Sequence, residues 1–70
     1  MTPIRLRVKE LRRARGWSQA QLSERAGVRQ ATIAEIELEK TSRVEFDTLE
    51  RLAEALEVDP GYLIVRELAE

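Results

Sequence analysis

Apolar residues recur along this chain at the spacing of short amphipathic helices, and the strong breaks fall at Gly16, Gly27 and Asp59-Pro60-Gly61. Ile4, Val8 and Leu11 follow the i, i+4, i+7 rule, which predicts a first helix from Pro3 or Ile4 to Arg15, ended by Gly16. Ser18-Gln19-Ala20-Gln21 has the form of a capping box, so a second helix starts there and ends at Gly27, with Leu22 and Ala26 inward and Trp17 as a core plug. The spacing resumes at Ile33 and Ile36 and predicts a third helix over about Gln30 to Leu38, although Arg29 is a weak N-cap. Phe46, Leu49, Leu52, Ala53 and Leu56 form the stripe of a fourth helix. Asp59 as N-cap and Pro60 at the first helical position open a fifth that carries Tyr62, Leu63, Ile64 and Val65. The expected fold is all-α, five helices in a single domain over 1–70.

Length and composition narrow what such a domain can do. A chain of 70 residues buries only about 60% of its unfolded surface, which leaves little room for an enclosed substrate cavity. There is no Cys and no His, so disulfides and the usual zinc, haem and iron–sulfur ligand sets are excluded, and no metal or cofactor is expected. Acid–base or nucleophilic catalysis lacks its usual base, and Ser18, Ser23 and Ser42 read as cap, helix surface and loop. No apolar run approaches the ~18 residues of a membrane span, which points to a soluble, cytoplasmic protein with no membrane partner.

The formal net charge of −1 conceals a sequence dipole. Residues 1–43 hold ten basic and five acidic side chains, whereas residues 44–70 hold two basic and eight acidic ones. A basic half can meet phosphates even in an acidic chain.

Two short helices joined by a glycine-containing turn form a helix-turn-helix element over about 18–38. In such elements the first helix crosses the phosphate backbone and the start of the second enters the major groove. Four stretches, Leu11 to Gln19, Leu22 to Val28, Thr32 to Glu37 and Thr48 to Leu56, together resemble the Cro and phage-repressor (XRE) type of helix-turn-helix regulators. The resemblance covers nearly the whole chain and implies a compact lambda-repressor-like domain.

It also implies DNA contacts at Gln19 and Gln30, the first residues of helices two and three. Gln pairs naturally with adenine. Around Gln30, the residues expected to face the groove are Arg29 (phosphate or guanine), Ala31 (a thymine methyl), Ala34 and Glu35, which repels phosphate yet can accept from cytosine N4. Arg12 and Glu37 match an ion pair that ties helix one to the end of helix three, with Arg12 also near phosphates. Lys40, Thr41, Ser42 and Arg43 stand where the family contacts the backbone. Two departures follow: Leu38-Glu39 replaces the usual glycine, and Arg43-Val44-Glu45-Phe46 lacks the usual proline, with Val44 and Phe46 read as core and hinge. Relatives often dimerise through the last helix, so the apolar segment at about 60–70 is expected to form a homodimer interface through Tyr62, Leu63, Val65 and Leu68.

The leading expectation is a sequence-specific regulator of double-stranded DNA, a dimeric repressor at an operator. The alternative is a protein-interaction module on the same fold, an antitoxin or adaptor with a protein partner, suggested by the acidic row Glu35, Glu37, Glu39.

Overall fold

The computed structural model describes residues 4–40 and 43–66. In order these form strand β1 (Ile4–Leu6), helices α1 (Val8–Ala14), α2 (Gln19–Ala26), α3 (Gln30–Glu37), α4 (Phe46–Leu56) and α5 (Pro60–Leu63), and strand β2 (Ile64–Arg66). The five helices expected from the spacing are present and dominate the fold.

Local signals set most helix ends. The Ser18 hydroxyl accepts from the Gln21 amide at 3.1 Å while the Gln21 side chain accepts from the Ser18 amide at 2.8 Å, completing the capping box. Gly27 closes α2 in the left-handed region at φ 68°. Helix α3 ends differently. The Lys40 amide donates to the Glu35 carbonyl and the Glu39 amide to Ile36, the paired bonds of a Schellman turn, with Glu39 at φ 57° in the place glycine favours. Glu57 holds the same conformation after α4 at φ 58°. The turn that closes α3 therefore forms without the glycine, with a strained glutamate in its left-handed position.

The ends of the chain depart from the expected helices. Ile4–Leu6 is a strand and α1 begins only at Val8, because Ile4, Arg5 and Leu6 pair antiparallel with Arg66, Val65 and Ile64. The Arg7 amide extends this pairing to the Leu63 carbonyl at 2.8 Å. Helix α5 is correspondingly cut to four residues, Ile64 and Val65 leave it for β2, and Asp59 makes no side-chain cap bond.

Val8, Leu22, Ile33, Leu52, Leu56 and Leu63 are the largest side chains fully buried in the core, and Trp17 and Val44 pack against it. Phe46 does not join them. It is 84% exposed, because at the first residue of α4 the stripe extends past the elements that cover Leu52 and Leu56. Leu63, expected at a dimer surface, is fully buried, so that placement is corrected: it closes the core of its own chain. No helix among the described residues is long and apolar enough to cross a membrane.

Candidate nucleic-acid interface

Helix α2 packs against α3 and α4, which leaves the first turn of α3 at the surface. Arg29, Gln30, Ala31 and Glu35 are exposed there and Ala34 is half-buried. Gln30 and Ala34, like Ala31 and Glu35, stand four residues apart and so project on one face. The side chains of Arg29 and Gln30 make no hydrogen bond or ion pair among the described residues, so their donors and acceptors remain available. Lys40 is exposed just beyond α3 and Arg43 just before α4; Thr41 and Ser42 lie outside the described residues.

Behind this surface is a polar strut. Arg12 Nε donates to Glu37 Oε2 at 2.7 Å, Nη2 to Oε1 at 2.9 Å, and Nη1 to the Trp17 carbonyl at 2.7 Å. The paired side chains are only 10% and 4% exposed. Gln19 Nε2 donates to Glu37 Oε1 at 3.0 Å, so one carboxylate joins α1, the start of α2 and the end of α3. Burial pushes the Glu37 carboxyl up, but the hydrogen bonds from Arg12 and Gln19 and the Arg12 charge more than reverse this, and it titrates below the ordinary glutamate range. The hydrogen bond from Glu37 holds the Arg12 guanidinium above its ordinary value. The ion pair expected from the sequence is thus present. Arg12, expected also to approach phosphates, is turned inward with its donors engaged. Glu37 is withdrawn from the acidic row, which leaves Glu35 and Glu39 exposed.

At the start of α2, the backbone amides of Gln19 and Ala20 have no acceptor among the described residues, and free amides at a helix N-terminus suit an anion. A cleft of about 250 Å³ opens between α3 and the start of α4, lined by Thr32, Glu35, Arg43 and Thr48 among others. Sequence reasoning missed Thr32 and Thr48 because the cleft joins two elements that no local motif links. Of the proposed dimer residues, Tyr62 is half-exposed with the Arg7 guanidinium 4.6 Å over its ring, Val65 is half-buried, and Leu68 lies outside the described residues.

The helix-turn-helix family pattern matches residues 8–63. The chain belongs to the XRE-type helix-turn-helix family. Among solved structures it is similar to SinR, described as the master regulator for biofilm formation, in complex with DNA, at 29% identity and TM-score 0.75, over 79% of this chain and 87% of that one. The N-terminal DNA-binding domain of SinR from Bacillus subtilis gives 29% identity and TM-score 0.76 over 79% of this chain and 80% of that one. A SinR–SinI protein complex gives 30% and 0.74, covering 77% of this chain and 52% of that one. No curated protein matches the chain.

Proposed function

We propose that this XRE-type chain is a DNA-binding transcription regulator that recognises a specific double-stranded operator as a homodimer and represses by occupying it. The observation that carries the reading is the exposed start of α3, where Arg29 and Gln30 keep unsatisfied hydrogen-bonding groups on a helix fixed from behind by the Arg12–Glu37–Gln19 strut.

In this reading the start of α3 enters the major groove. Gln30 reads adenine, Arg29 takes guanine or a phosphate, Ala31 meets a thymine methyl, and Glu35 accepts from cytosine N4. Ala34, half-buried on the Gln30 ridge, allows close approach of the helix. The free amides of Gln19 and Ala20, with Lys40, Thr41, Ser42 and Arg43, hold phosphates and set register. Arg12 acts as the strut that keeps Gln19 and α3 in place.

The test is selection of sites from a randomised duplex pool, followed by binding at a series of salt concentrations. Enrichment of a two-fold-related site is expected, with log affinity falling by about 0.9 per phosphate contact for each tenfold rise in salt. No enriched sequence and no salt-dependent binding to generic duplex would sink the proposal. That outcome would favour the protein-partner reading, which the similarity to a SinR–SinI complex supports.

A further inference from the structure

Arg5, Arg7, Lys9, Arg12, Arg13 and Arg15 concentrate positive charge in and just before α1. The fold engages four of them. Arg5 holds Glu10 through two bonds of 2.9 and 3.0 Å. Arg7 donates to the Tyr62 carbonyl at 2.9 Å and lies over its ring. Arg12 is taken by Glu37 and the Trp17 carbonyl, and Arg15 donates to the Leu56 carbonyl at 2.9 Å and to Glu57 at 2.8 Å. Lys9 and Arg13 are different: both are exposed and neither makes a hydrogen bond or ion pair among the described residues.

Their place on α1 gives this pair a direction. Standing four residues apart, they share one ridge and are separated by about 6 Å along the helix axis. Lys9 is also three residues before Arg12, so the ridge borders the face from which Arg12 reaches the end of α3. The carboxylate that Arg12 holds accepts from Gln19, the first residue of α2. The Lys9 charge acts on that carboxylate too, helping to keep it below the ordinary glutamate range. Lys9 therefore lies on the side of the start of α2, at the edge of the surface proposed to meet the duplex. Glu10, the acid next to it in the chain, projects about 100° around the helix and is neutralised by Arg5.

We infer that Lys9 and Arg13 form a phosphate-binding ridge outside the helix-turn-helix element, which holds the DNA backbone beside the bases that α3 reads. The phosphate role expected of Arg12 from the sequence passes to these neighbours. A guanidinium that closes a buried ion pair cannot also neutralise a phosphate, whereas two exposed cations with no acceptor of their own can. The ridge acts through charge and sets affinity and register without reading sequence. It also offsets Glu35 and Glu39, whose exposed carboxylates repel the backbone on the same side of the domain.

The inference rests on the DNA-binding reading, and the test separates the two. Affinity of the full chain for the selected duplex and for a scrambled one is measured from roughly 0.1 to 1 M salt, with thermal melting on the same samples. Lys9→Gln and Arg13→Gln should each reduce the slope of log affinity against log salt by about 0.9. That is about 8-fold weaker binding at roughly 0.1 M salt for each, and about 60-fold for the double variant. The loss should be equal on both duplexes and fade towards 1 M, and Lys9→Arg should bind like wild type. Arg5→Gln, which removes a cation already held by Glu10, should leave the slope unchanged. Because Lys9 and Arg13 are exposed, all melts should match wild type. A double variant with the wild-type slope overturns the inference. An equal loss in Arg5→Gln also overturns it, since a diffuse field and not a located ridge would then be at work, as does a loss confined to the selected duplex. A wild-type chain with no salt-dependent affinity for either duplex sinks the DNA reading itself, and the ridge with it.

Discussion

Glu37→Ala tests the strut most directly. The substitution removes two of the three hydrogen bonds made by the Arg12 guanidinium and the acceptor of Gln19, and it leaves a cation whose side chain is only 10% exposed without its counter-charge. Breaking a buried pair from one side costs about 3–5 kcal/mol. The Trp17 carbonyl still holds one nitrogen, so the lower end, about 3 kcal/mol, is expected. A domain of this size has a total stability of roughly 4–10 kcal/mol, and each kcal/mol moves the melting temperature by about 4–8 °C, so a drop of roughly 12–24 °C follows. Removing both partners, as in Arg12→Met with Glu37→Leu, should recover most of the loss, because the stranded charge and not the missing attraction carries the cost. The assay is thermal unfolding by circular dichroism across the double-mutant cycle. A Glu37→Ala melt within 2–3 °C of wild type, about half a kcal/mol, would refute the account of the buried pair. The same pair sets a pH dependence. The folded carboxyl titrates below its unfolded value, so its contribution is complete above the ordinary glutamate range and is lost as pH falls through the lowered folded value. Wild type should lose stability below roughly pH 4.3, and the double variant should lose less over that window.

Further outcomes follow from single sites. Gln30→Ala should cost about 1–3 kcal/mol on the selected site and relax preference at one base position; an unchanged specificity profile would remove Gln30 as a base reader. Glu39→Gly should raise stability by about 0.5–1 kcal/mol by relieving the left-handed glutamate, as measured by urea unfolding, and should strengthen duplex binding at low salt by removing an anion beside Lys40; a loss of stability would show that the turn carries no strain. Ser18→Ala removes the hydroxyl of the capping box and should cost about 1 kcal/mol, read from the same unfolding curves. Lys40→Gln should weaken all duplexes alike and reduce the salt slope by about one, with a sequence-selective effect counting against a phosphate role.

The capping box at Ser18 and Gln21, the left-handed Gly27 and the helix-turn-helix between them were legible because each depends on residues within a few positions of one another. The Arg12–Glu37 pair was legible only through a family resemblance, since no local pattern links residues 25 apart. Tertiary structure decided the rest. Ile4, Val8 and Leu11 carry a helical spacing and Ile4-Arg5-Leu6 an alternating one, and three residues cannot arbitrate between the two periods; pairing with Ile64–Arg66 settles it by giving the backbone a partner from the other end of the chain. The same pairing cuts α5 short and sends Leu63 into the core. Phe46 shares the spacing of Leu52 and Leu56, and whether an apolar stripe is covered depends on where the neighbouring elements end. Periodicity along a chain reports which face a side chain shares, and burial depends on what the rest of the chain places against that face.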